Sequence, residues 1–142
     1  MSNSVKISIE LDKDSWHGKT IERMWAKKLD ANLYQLDNIP IFAKGISYLD
    51  IFTVLNNKDD LILDSIVKKM GHRTYRVVFE EDVNSDIRNL CLEKLEQYAS
   101  FEFHEEMDIY AFDIETIQDD ENFILTLDKF ESEKILDYEE GD

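Results

Sequence analysis

The chain has 142 residues, 32 of them acidic against 16 basic, for a formal net charge of −16. With 43% hydrophobic and 11% aromatic residues, it is too rich in core formers to be a disordered acidic tail. At this length it can bury roughly two-thirds of its unfolded surface without disulfide or metal, and its charge argues against DNA, RNA or an anionic membrane as direct partner.

Val5, Ile7, Ile9 and Leu11 alternate with polar residues, which predicts a half-buried strand. Asp12 to Lys19 reads as a polar loop. A second strand is expected over Ile21–Leu29, with Ile21, Arg23, Trp25, Lys27 and Leu29 in one phase. Turn chemistry at Asp30-Ala31-Asn32 returns the chain as a hairpin through Leu33–Leu36. Pro40 forces Ile39 towards extended geometry, so residues 37–47 read as an ordered loop. Trp25 and Phe42 are expected to pack beneath it.

Two short strands, Ile51–Leu55 and Leu61–Val67, flank a five-residue hairpin loop at Asn56–Asp60, and another strand runs from Arg73 to Glu80. Helical periodicity takes over at Ser85, the expected N-cap, and continues to about Ser100. Phe101 and Phe103 occupy odd positions while Tyr110, Phe112 and Ile114 occupy even ones. That predicts a turn or bulge around His104–Asp108. A last helix should start near Thr116 or Asp119, bury Phe123, Leu127 and Phe130, and fray beyond Asp137.

The expected fold is α+β: an antiparallel β-rich N-terminal half, as a small barrel or curled sheet, packed with a β-α-β-α C-terminal half. Residues 1–142 read as one domain, with two small lobes (1–71 and 72–142) as the alternative. The N-terminus shows no signal-peptide pattern and no apolar run is long enough to span a membrane, so a cytoplasmic protein is expected.

Catalytic signatures are weak. Cys91 shares helical spacing with Ile87, Leu90, Leu95 and Tyr98, which reads as a buried core thiol. His17, His72 and His104 form no metal-ligand spacing with one another, and Glu102, Glu106 and Asp108 around His104 match no EF-hand loop; no metal or cofactor is expected. Neither a nucleophile elbow nor a phosphate-binding glycine motif is present. Among 32 acids, no carboxylate pair is distinctive. Arg73 and Arg76 could pair with carboxylates or contact an anionic ligand.

Glu22-Arg23-Met24-Trp25-Ala26, the stretch from Asp37 to Asp50, and Gly71 to Val77 resemble a bacterial family described as a domain of unknown function. Its pattern is E-x-x-W-A, D-N-I-P-F-F-A-x-G-x-S-x-x-D and G-H-x-T-x-R-V. Ile41 stands where the pattern has Phe, and Leu49 where Gly often precedes the Asp. The chain is also similar in size and charge to immunity proteins of contact-dependent growth-inhibition systems, which neutralise toxin nucleases. That resemblance implies a non-enzymatic protein whose carboxylates occupy the phosphate positions of a basic toxin ribonuclease domain.

The charge distribution locates such a surface. Met1–Arg76 holds 10 acidic and 12 basic residues, whereas Val77–Asp142 holds 22 and 4, so the net charge shifts from +2 to −18. The partner-binding candidates are Glu102, Glu105, Glu106 and Asp108 of the expected turn, with Asp113 and the helix start at Asp119, Asp120 and Glu121 as secondary candidates. An acidic nucleic-acid mimic, or another protein-binding domain, is the alternative. An enzyme would need a pocket joining Asn38, His72 and Arg76.

Overall fold

The computed structural model describes residues 4–12, 14, 17–115 and 117–141, with Ile117 described in its backbone alone. Alternating apolar residues build strands β1 (Ser4–Glu10), β2 (Ile21–Asp30), β3 (Leu33–Leu36), β4 (Ile51–Asn57) and β5 (Asp60–Lys68). They form an antiparallel meander that closes into a barrel where β1 and β5 run parallel at Ser8 and Ile62. Ile7, Met24, Ala26, Leu36 and Phe52 fill its interior.

The second half carries β6 (Arg73–Phe79), α1 (Ser85–Glu96), β7 (Ser100–His104), β8 (Ile109–Ile114), α2 (Ile117–Ser132) and β9 (Leu136–Glu140). Its four strands lie in the order β7-β8-β6-β9, all antiparallel. This β-α-β-β-α-β arrangement is the split βαβ topology of ferredoxin-like folds. Tyr75, Val77, Tyr110, Phe112 and Ile114 pack against Cys91 and Leu95 of α1 and against Phe123 and Leu127 of α2. Thr74, Arg76 and Glu102, on the alternate phase, reach the loop between β3 and β4. The fold class is α+β, with its β-rich half first, as the sequence suggests.

Several boundaries move, each for a local reason. Lys58 and Asp59 both adopt positive φ (52° and 72°), so a two-residue turn replaces the five-residue loop, and Asn57 pairs with Asp60. Asn84, not Ser85, caps α1, accepting the Ile87 N–H at 2.9 Å. The helix ends at Glu96 because Ser100 already pairs with Asp113. Residues 136–140 form β9 rather than a fraying helix end, held by pairing along β6 from Tyr75 to Phe79. The turn between β7 and β8 falls where the change of phase requires it, with Asp108 at φ 54°. Thr116, one expected helix start, lies outside the described residues.

In β2 the expected phase is present but faces solvent. Met24 and Ala26 point into the barrel, and Trp25, expected beneath the loop, is 44% exposed. Phe42 is buried as expected, between the rings of His17 (4.7 Å) and His104 (5.2 Å).

Candidate functional site

The seam between barrel and sheet is organised by the loop at residues 37–50. Glu22, only 9% exposed at the start of β2, turns its carboxylate under this loop. It accepts the backbone N–H groups of Ile41 (2.7 Å), Phe42 (2.9 Å) and Ala43 (2.8 Å). Asn38 Oδ1 accepts the Trp25 N–H at 2.5 Å. Asp50, fully buried, accepts the N–H groups of Ser47 and Met70 and meets Lys69 Nζ at 3.2 Å. Glu22 and Asp50 thereby satisfy the buried amides of Phe42, Ala43 and Ser47, which an irregular segment would otherwise leave unpaired, and Asn38 ties the loop to β2 at the exposed Trp25.

The sheet grips the same loop from the other side. The Arg76 guanidinium, 2% exposed, donates to the Ala43 carbonyl and lies 3.8 Å from Glu139. Thr74 Oγ1 donates to Ser47 Oγ at 2.9 Å, and the Gly45 N–H donates to the Gly141 carbonyl at 2.7 Å. A Cβ at Gly141 would stand 2.8 Å from Arg76, so a side chain there displaces the guanidinium. His72 Nδ1 meets both oxygens of Asp113 at 2.9 Å, with Tyr48 against its ring. Burial pushes the Asp113 carboxyl up, against the opposing pull of the His72 hydrogen bond and charge.

Most candidate interface carboxylates already have work inside the molecule. Asp108 is bidentate to Arg88 at 2.9 and 3.2 Å, which ties the β7–β8 turn to α1. Asp113 holds His72, and Asp120 accepts the Tyr75 hydroxyl at 2.6 Å and meets Arg73 at 3.5 Å. Glu102 faces Asn38 Nδ2 at 3.4 Å. Burial raises the Glu102 carboxyl, hydrogen bonds from Asn38 and Ile39 lower it, and the charges of Glu22 and Asp37 add to the rise. Glu106 makes a solvent-exposed pair with Lys19 at 3.4 Å. Glu105 and Glu121 are exposed, and Asp119 is half-buried at the start of α2.

The groove beside the loop, about 480 Å³, is lined by Asn38, Glu102 and His104 and contains neither His72 nor Arg76. Among the described residues no group of three or more His, Cys, Asp or Glu could hold a metal ion. Cys91 is buried, and burial raises its thiol. No helix of the described residues is long and apolar enough to cross a membrane. Glu22 and Asp50 both stand in the family pattern, but periodicity does not show their clamps, since Phe42 and Met70 each lie twenty residues from the carboxylate that holds them. Only the Ser47 amide is local, three residues from Asp50.

A solved structure titled as a novel crystal structure of a hypothetical protein from Neisseria gonorrhoeae is similar over 96% of this chain and 94% of its own. Its TM-score is 0.79 at 17% identity, a likeness of fold. None of the curated proteins matches the chain. The family model for DUF4265, a domain of unknown function, matches residues 22–138, spanning both the barrel and the sheet, and the chain therefore belongs to that family.

Proposed function

We propose that the chain is a non-enzymatic binding protein that neutralises a basic partner, a toxin nuclease of the growth-inhibition type, through its acidic surface. The observation that carries this reading is the division of labour among the carboxylates of the second half. Asp108, Asp113 and Asp120 hold the fold together. Asp86, Glu93 and Glu96 of α1, Glu121 and Glu131 of α2, and Glu105 of the β7–β8 turn are exposed. The Arg88–Asp108 bridge sets that turn beside α1.

Concentrating like charge on one surface costs stability through self-repulsion, and a cationic partner relieves it. A ribonuclease must present cations to hold RNA, so an acidic face competes for the same positions. Complementary charges of this kind steer encounter, with on-rates of about 10⁸–10⁹ M⁻¹s⁻¹ at low salt.

The test is charge reversal at Asp86, Glu93, Glu105 and Glu121, read against purified toxin domain. The reading expects slower association, a flatter salt dependence and loss of nuclease inhibition, with the melting temperature maintained. Unchanged association would remove the face from consideration. Binding to a DNA- or RNA-binding protein with no nuclease activity would favour a nucleic-acid mimic instead.

A further inference from the structure

Three cations of the near-neutral first half, Lys6, Lys19 and Arg23, line the groove between the outer face of β2 and strand β7. The alternation that sends Met24 and Ala26 into the barrel sends Ile21, Arg23 and Trp25 outward. Ile21 and Trp25 are each more than two-fifths exposed, so this wall offers apolar surface on both sides of a guanidinium. Lys6 pairs with Trp25 across β1 and β2, and its ammonium lies 4.5 Å from the indole centroid. Glu102 and His104 form the facing wall, above Asn38 and Phe42. His104 Nδ1 accepts the Met107 N–H at 3.1 Å, so the neutral ring carries its proton on Nε2 and donates there.

The loop clamps account for Glu22 and Asn38, but not for an exposed indole and isoleucine flanking cations. A half-exposed Trp beside an ammonium and a guanidinium provides apolar contact and charge-assisted donors in one place. Among the described residues Lys19 Nζ meets Glu106 in an exposed pair, the kind of bridge that contributes about 0–1 kcal/mol and yields readily to a better anion. The cavity falls within the roughly 300–1,000 Å³ of small-molecule sites. At physiological ionic strength the Debye length is about 8 Å, so the carboxylates that bear on a ligand held here are those of the groove itself, Glu22 on its loop clamp, Glu102 on the facing wall and Glu106 on Lys19.

We infer that this groove binds a small aromatic anion, with its carboxylate or phosphate on Arg23, Lys6 and Lys19 and its ring against Trp25 and Ile21. The site has the opposite charge preference to the acidic helix face and lies on other elements, so the two readings stand or fall separately.

Calorimetric titration of the intact chain with phenyl phosphate, phenylacetate, inorganic phosphate and benzylamine tests the inference. Trp25 fluorescence in a Trp16→Phe background reports on the site. At least one aromatic anion is expected to saturate, its identity distinguishing phosphate from carboxylate recognition. Inorganic phosphate should bind about tenfold more weakly and benzylamine not at all. Arg23→Gln should weaken the aromatic anion about tenfold with the melting temperature unchanged, and Glu102→Gln should tighten it by removing a facing negative charge. Failure of both aromatic anions to saturate below about 10 mM, or binding insensitive to Arg23→Gln, overturns the inference. Equal binding of benzylamine also overturns it.

Discussion

Replacing Glu22 with alanine removes the single acceptor shared by three consecutive amides of the loop. Phe42 and Ala43 are buried, so their N–H groups gain no water in exchange, whereas Ile41 is half-exposed. Leaving a buried donor unsatisfied costs about 1–3 kcal/mol, which puts Glu22→Ala at about 4 kcal/mol for the two buried amides. At about 3 °C per kcal/mol for a chain of this size, the melting temperature should fall by about 12 °C. Glu22→Gln is the informative comparison. Its carbonyl can take the place of Oε1, which serves Phe42 and Ala43, but its amide then opposes the Ile41 N–H. That variant should lose about 1–2 kcal/mol. Urea denaturation at constant m-value measures both. A loss below about 1 kcal/mol for alanine, or equal losses for the two variants, would refute the clamp.

Cys91 should react with a thiol reagent such as DTNB orders of magnitude more slowly in the folded chain than in urea, because it is buried and burial raises its thiol; fast native labelling would contradict its position. Stability should rise as pH falls towards the ordinary carboxylate values. Asp113 and Glu102 are both held above those values, chiefly by burial, so between the ordinary and raised values the folded chain holds more protons than the unfolded one. A melting temperature that falls over that window would show the sign to be wrong. Arg76→Met should cost about 1–3 kcal/mol in urea denaturation, since it leaves the Ala43 carbonyl without its buried donor, while Glu139 is a third exposed and keeps Lys44 at 3.8 Å. Gly141→Ala should destabilise in the same direction by displacing that guanidinium, and a neutral result would contradict the close approach.

Strand periodicity exposed most of the first half to reading, because each barrel strand buries one phase and solvates the other. Trp25 shows where that reasoning stops. Periodicity gives the phase of β2, but a small barrel interior takes Met24 and Ala26 and leaves the larger indole outside. Residues 136–140 are short and charged, and they become a strand through pairing with β6, information held some sixty residues away. The same distance effect hides the site. Asp113 and Asp120 look like the other acids of an acidic half until the fold brings His72 and Tyr75 to them. Charge counting finds an acidic second half but cannot separate the carboxylates that hold the fold, such as Asp108, Asp113 and Asp120, from those that stay exposed, such as Glu105 and Glu121.

The most direct measurement is stopped-flow association of the proposed partner, a purified toxin nuclease domain, with the wild-type chain and with the variant reversed at Asp86, Glu93, Glu105 and Glu121, across a salt series. The account predicts an on-rate that falls steeply with ionic strength for the wild-type chain and is slow and nearly flat for the variant, with both melting alike. Equal on-rates and equal salt slopes would contradict it.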